Sequence, residues 1–239
     1  MDRFEWTDAP LSSPQAVGTA AAAYLGLALG LPYVVPKPGL GLRVTTACHN
    51  ALLCAWSLVM FVGCLYEVVR RTRTEGDVAW MFCENPTTPA SGRLFFWSYV
   101  YYISKFYELL DTVLVRLNRA RMPFPRLHIF HHSGVLLMVW MWLEYSQTLQ
   151  FIGLLFNTLV HVFMYYYYTQ RTLGVHLWWK RYITRLQIVQ FLTGFASLAV
   201  TLWYMTDRHC AGAWPLAFNL AFNAALLVQF LGVHAQSST

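Results

Sequence analysis

Seven stretches of mostly apolar residues recur along the chain, at 16–36, 44–69, 94–115, 127–143, 148–168, 183–205 and 213–234. Each is close to the roughly 20 residues that a helix needs to cross a bilayer core of about 30 Å. Turn-forming or charged clusters separate most of them: PKPG at 36–39, RRTRTEGD and NPTTP within 70–93, and RLNRARMPFPR at 116–126. The fourth stretch is short and polar at its start. Only 12% of the residues are charged, against about 25% in a soluble domain. With 57% hydrophobic residues and a mean hydropathy of +0.41, the chain could not cover a soluble surface and is no disordered segment. The expectation is an all-α membrane protein, a seven-transmembrane-helix bundle in one polytopic domain over residues 1–239.

An odd number of spans puts the termini on opposite sides, and loop charge chooses between the two orientations. With the N-terminus outside, the inner loops hold Lys37, Arg43, Arg116, Arg119, Arg121, Arg126, Arg171, Lys180 and Arg181. The outer segments hold Arg3, Arg70, Arg71, Arg73, Arg93 and Arg208. The excess favours N-outside and C-inside. The opening MDRFEWTDAP is too acidic for a signal-peptide n-region, so no cleavage is expected. Cys48, Cys54, Cys64, Cys83 and Cys210 show no paired spacing and read as small apolar fillers.

Ionisable groups at membrane depth are costly unless paired or facing a wet cavity, which makes them functional candidates. The third stretch carries Lys105, Glu108, Asp111 and Thr112 in KFYELLDT, within one arc of about 120° on a continuous helix. A buried Lys–Glu pair alone could serve packing; the second acid points to function. The fourth opens with LHIFHH, which crowds His128, His131 and His132 onto one face. The fifth, NTLVHVFMYYYY, gathers Asn157, His161, Tyr165 and Tyr168, while Tyr166 and Tyr167 suit an aromatic packing stripe. In the sixth, Thr184, Gln187 and Gln190 share a face that serves either chemistry or interhelical hydrogen bonding. Asn219 and Asn223 read as packing residues, and His49, His176, His209 and His234 are assigned nothing.

The four imidazoles, two acids, lysine and amides outline a polar chamber open toward a basic rim, formed by Arg116, Arg119, Arg121 and Arg126 before the histidine motif and by Lys180, Arg181 and Arg185 before the sixth stretch. Such a rim suits ordinary positive-inside charge, and equally a substrate with a polyanionic head and a lipid tail. A histidine box in a membrane supports two chemistries. A di-iron lipid desaturase or hydroxylase needs several such boxes, roughly eight or more imidazoles around the two metals, and this chain has one box. Alternatively, a neutral imidazole attacks a thioester and carries the acyl group, with amide N–H groups supporting the oxyanion. A non-enzymatic seven-helix receptor or transporter is the third reading.

Taken together, KFYELLDT, LHIFHH, NTLVHVFMYYYY and LWWKRYITRLQIVQF resemble, in order and spacing, the signature KxxExxDT, HxxHH, NxxxHxxMYxYY and TxxQxxQ of the membrane fatty-acid elongases. These are the condensing enzymes that lengthen very-long-chain acyl-CoAs. The resemblance covers residues 90–235; residues 1–90 match in hydropathy alone. It implies a bundle enclosing an acyl tunnel, in the endoplasmic reticulum membrane, with a lumenal N-terminus and a cytosolic C-terminus. The implied reaction converts acyl-CoA and malonyl-CoA to 3-oxoacyl-CoA, CoA and carbon dioxide, with no metal or other cofactor. Carried over by motif, Lys105, Glu108, Asp111 and Thr112 are the first signature, His128, His131 and His132 the box, Asn157, His161, Met164, Tyr165 and Tyr168 the third, and Thr184, Gln187 and Gln190 the fourth. Within this set His131 reads as the nucleophile, because His128 one turn back and His132 adjacent can orient it and accept its proton, and His161 as support for the thioester oxyanion or the malonyl group. Lys105, Glu108 and Asp111 set the charge state of the box, and Asn157 and Gln187 donate to the oxyanion. Thr112, Tyr165, Tyr168, Thr184 and Gln190 are expected as substrate-binding residues, and from the basic rim Lys180, Arg181 and Arg126 as the place where the diphosphate head rests. Partners implied are acyl-CoA, malonyl-CoA and membrane lipid, with a homo-oligomer and the other elongation-cycle enzymes as protein partners and no nucleic acid. The chain departs from the family in ending at HAQSST, without a lysine-rich retrieval tail, and in lacking a proline after the box. Tunnel depth is expected to depend on bulky residues such as Trp140, Trp142 and Phe156.

Overall fold

Ser13 opens the first long helix, its hydroxyl accepting from Ala16 N at 3.2 Å ahead of Pro14. Side-chain caps satisfy donors that a helix start leaves unpaired, and proline at the first position has no donor to lose. From there the computed structural model, which describes residues 1–122 and 124–238 with side chains to 235, is a succession of helices. They are α1 (Pro14–Val34), α2 (Arg43–Glu75), the short α3 (Ala79–Phe82), α4 (Gly92–Glu108), α5 (Leu110–Leu117), α6 (Pro125–Glu144), α7 (Gln150–Leu173), α8 (Lys180–Tyr204) and α9 (Ala213–Ser238).

The described residues contain five helices long and apolar enough to cross a membrane: α1, α2, α7, α8 and α9. The expected third span is not one helix. Leu109 interrupts it, its N–H turning back to Phe106 O at 3.2 Å, so α4 and α5 are separate pieces. α6 has the length for a span, but its three histidines and Ser133 dilute its apolar character. Buried Tyr101, Tyr102, Leu136, Val139, Leu143 and Leu154 on α4, α6 and α7 form the centre of the core, while Leu58, Val59, Val62 and Tyr66 on α2 are exposed on the outside of the bundle. α2 packs along α7 over much of its length, and α6 meets α4, α1 and α9. Gly134 permits the approach to α9, since a side chain there would run into the Phe222 ring. At about 50 Å, α2 outruns the expected 44–69 and carries Arg70, Arg71 and Arg73 in its last turns.

The bundle has a histidine end, where α6 begins, and an opposite end closed by three tied loops. There Cys83 and Cys210 form a disulfide, which corrects the reading of all five cysteines as apolar fillers. The pair is separated by 127 residues and joins segments unrelated in pattern, so spacing gave no sign of it. Around it, Ala211 N donates to Glu84 O at 2.8 Å, Thr148 N to Ala211 O at 3.1 Å, and Thr201 Oγ1 to Phe82 O at 2.6 Å. Buried Glu84 takes both NH groups of Arg71, at 2.5 and 2.9 Å, in a bidentate pair. The N-terminal segment straps the same end: Trp6 N donates to Ala90 O, and its indole to Glu144 Oε2 at 2.9 Å.

Candidate active site

Because α4 ends at Glu108, its last turn and the first turn of α5 aim their polar residues in two directions. In the first, Lys105 Nζ donates to Glu108 Oε1 at 2.8 Å and to Asn157 Oδ1 at 3.1 Å, and lies 4.1 Å from the Tyr101 ring centroid. Tyr101 OH also donates to Asn157 Oδ1, at 2.8 Å. Two donors on one oxygen fix which way the amide faces and leave Asn157 Nδ2 as a donor. His161 Nδ1 stands 3.5 Å from Glu108 Oε1, so Glu108 joins the lysine to the histidine of α7.

In the second direction, Asp111 Oδ1 accepts from His49 Nε2 at 2.6 Å and Asp111 Oδ2 from Tyr165 OH at 2.7 Å. His132 Nε2 lies 3.9 Å from the same Oδ2. At the next residue, Thr112 Oγ1 is 2.9 Å from Tyr24 OH and 2.8 Å from His128 Nε2. The three histidines of α6 therefore have different surroundings. His128 sits on Thr112, and His132 faces Asp111, its ring tilted by 51° against that of His128 with centroids 4.4 Å apart. Among the described residues His131 has no hydrogen-bond partner at its buried Nδ1, and it lines a cavity inside the bundle.

That cavity runs between α6, α7, α8 and α9. His131, Asn157 and Gln190 line it at the histidine end, and Trp142, Leu149 and Leu216 at the other. Its wall between them is mainly aliphatic and aromatic, a shape and polarity suited to one long apolar chain with reactive chemistry at one end. Two expectations change here. His128 makes no hydrogen bond to His131, since its Nε2 is engaged by Thr112. Gln187 does not line the cavity; its amide rests on Met164 Sδ at 3.9 Å, and Gln190, one turn on, takes the wall position.

The profile of the GNS1/SUR4 family, ELO, matches residues 9–238. The chain belongs to this family. Within it, the chain is 41% identical over 235 residues to a Dictyostelium discoideum protein provisionally named a fatty acid elongase, covering 95% of this chain and 75% of that one. It is 37% identical to fatty acid elongase sre1 of the same organism, covering 95% and 85%. With fatty acid elongase A, also from Dictyostelium discoideum, it shares 32% identity over 99% of this chain and 87% of the relative.

The remaining site residues of this ELO chain divide by exposure. Arg126, Lys180 and Arg181 are exposed at the histidine end, and Arg181 lies over the Tyr182 ring at 5.1 Å. Arg119, expected on the same rim, is instead bonded to Val35 O and ties the α5–α6 connection to the end of α1. Thr184 is buried and is not on the cavity wall. Tyr168 packs edge-on against Tyr165, and the stripe expected of Tyr166 and Tyr167 is present, both rings meeting Trp179. Sequence reasoning missed His49. A lone histidine on a helix 62 residues before its carboxylate partner has no local pattern to announce it.

Proposed function

We propose that the chain is a fatty-acid elongase, a membrane condensing enzyme that joins acyl-CoA to malonyl-CoA and releases 3-oxoacyl-CoA, CoA and carbon dioxide, with His131 as the nucleophile. One observation carries the reading: of the four imidazoles in the two histidine motifs, His131 alone lines the apolar cavity. A tail lying along that cavity would bring its thioester to His131 and Asn157.

A ring nitrogen of His131 attacks the thioester carbon, the C–S bond breaks, and the CoA thiolate leaves with a proton, so an acyl-imidazole remains. Asn157 Nδ2 is the proposed donor to the oxyanion, its orientation held by Lys105 and Tyr101. Malonyl-CoA then loses carbon dioxide, the electrons of the broken C–C bond form an enolate, and the enolate carbon takes the acyl group as imidazole departs. Lys105, Glu108 and His161 form the support of Asn157, and Asp111 supports His132 beside the nucleophile. Arg126, Lys180 and Arg181 are the candidate contacts for CoA phosphates.

The reading needs no metal. The histidine nitrogens on α6 and α7 that have partners face a hydroxyl or a carboxylate. We read α4–α5 and α6 as further membrane crossings, which restores seven. The disulfide lies on the face where the charge excess puts the lumen, and disulfides persist in oxidising compartments; both favour residence in the endoplasmic reticulum with the N-terminus lumenal.

The test is to give purified protein a panel of acyl-CoAs with labelled malonyl-CoA. Products two carbons longer, as 3-oxoacyl-CoA, support the reading. Malonyl-CoA-independent oxidation of the acyl chain would replace it with the desaturase alternative.

A further inference from the structure

We infer that His49, on α2 and outside every recognised motif, is a positioning residue for the condensation, acting through Asp111 on His132. The inference rests on the elongase reading. Asp111 lies among packed helices and accepts one charge-assisted hydrogen bond on each oxygen, from His49 of α2 and from Tyr165 of α7. Two donors arriving from two helices define the plane of the carboxylate. The same Oδ2 that accepts the tyrosine hydrogen bond faces His132 Nε2 at 3.9 Å, just beyond hydrogen-bond range. A small movement closes that gap once His132 holds a proton.

His132 is next to the nucleophile in sequence and in space, its ring edge-on to His131 with centroids 5.3 Å apart. It is the imidazole best situated to share the proton that moves when His131 attacks or is released. His49 itself has little freedom. It is 5% exposed and stacked on Tyr107 with centroids 5.0 Å apart at 28°. A ring held this way sets the carboxylate instead of following it, as outer partners do for the ligands they orient. Without it, Asp111 keeps one anchor and can turn away from His132.

The experiment compares His49→Leu, which removes the donor, with His49→Gln, which keeps an N–H near the Nε2 position, in the full-length purified protein. Wild-type condensation of acyl-CoA with malonyl-CoA is the reference; if the wild type makes no 3-oxoacyl-CoA, the elongase reading fails and not this one. His49→Leu is expected to lower kcat by about tenfold or more, with KM for acyl-CoA within about twofold of wild type. His49→Gln is expected to recover most of the loss. In an Asp111→Asn background, His49→Leu should lower kcat no further, because both substitutions break one path. If His49→Leu keeps wild-type kcat, or if its loss adds in full to that of Asp111→Asn, the inference is overturned. Should His49→Leu not fold, the Gln variant with and without Asp111→Asn decides by the same additivity.

Discussion

Lys105 and Glu108 form an ion pair at 2.8 Å with each side chain 1% exposed. A buried pair of this kind is weak evidence for stability, because desolvating two charges offsets much of their attraction. Its geometry is more informative. The lysine also holds Asn157 and the glutamate also faces His161, so the pair links α4 to the two polar residues of α7 nearest the cavity.

Removing one partner leaves the other charged and buried. Lys105→Met should therefore destabilise the protein by about 3–5 kcal/mol, and Lys105→Met with Glu108→Gln should recover much of that loss. Thermal unfolding of detergent-solubilised protein checks the stability ordering. Activity should not recover in the double variant, since Asn157 still lacks its lysine donor. A double variant with wild-type turnover would reduce the pair to packing.

The disulfide should matter in proportion to the chain it closes. Cys83 and Cys210 are 127 residues apart, and a loop of that size corresponds to about 5 kcal/mol in the chain-entropy account. Cys83→Ser should lower the unfolding midpoint measurably, with condensation at permissive temperature little changed, since the bridge is at the end away from His131. In sealed microsomes, a membrane-impermeant thiol reagent should label Cys83 and Cys210 only after reduction and permeabilisation. Labelling from the cytosolic side would reverse the proposed orientation.

Much of the site was legible because its parts are local. His128, His131 and His132 share one turn, and Asn157, His161 and Tyr165 recur at helical spacing, so each group could be assigned to a face before any fold was known. The division between them was not legible. A single turn at Leu109 sends Glu108 toward His161 and Asp111 toward His49, and no helical-wheel angle across the break describes that. Partners from distant helices were invisible for the same reason. Tyr24 on Thr112, His49 on Asp111 and Cys83 on Cys210 depend on how helices pack, and each side chain taken alone looks ordinary. Five of the expected spans are helices long and apolar enough to cross a membrane among the described residues; apolar length alone does not separate a lipid-facing helix from a more polar one enclosed by its neighbours.

The basic rim should bind CoA phosphates more than it assists chemistry. Lys180 and Arg181 are exposed in the first turn of α8, at the histidine end. Lys180→Ala with Arg181→Ala should raise KM for both CoA substrates severalfold while kcat falls by less, the mark of lost uniform binding. Raising salt should weaken wild-type binding and narrow the gap to the double variant. Unchanged KM and unchanged salt dependence would make the rim topological charge only.

Chain length should answer to one contact at the far end of the cavity. Trp142 lines that end eleven residues beyond His131 on α6, about 16 Å along the helix. Its ring lies over Gly153 so closely that a Cβ there would be 2.8 Å from the indole. Trp142→Leu should open the end and shift products toward longer chains, whereas Gly153→Ala should push the indole into the cavity and shift them shorter. Product masses from a mixed acyl-CoA pool check both. Shifts in the same direction, or none, would mean that another residue limits the tail.

The most decisive prediction concerns the nucleophile. If His131 carries the acyl group, acyl-CoA alone should release one equivalent of CoA per active enzyme before malonyl-CoA is added. The protein should then be heavier by one acyl chain, mapped to a histidine. His131→Ala should abolish both the release and the adduct, and its mild effect on packing should leave the protein folded, because Nδ1 has no hydrogen-bond partner to lose. His132→Ala should slow adduct formation by about 10²-fold or more without eliminating it, since a proton-transfer partner contributes roughly that much. The rival is a cysteine thioester. Cys48 is exposed, Cys54 makes only a long contact to Val162 O at 3.4 Å, and Cys64 is fully buried; none of the three lines the cavity. Replacing Cys48, Cys54 and Cys64 with alanine while keeping the disulfide should therefore preserve the burst. An adduct on a cysteine, or CoA release that waits for malonyl-CoA, would overturn the acyl-imidazole and require the two substrates to react while both are bound.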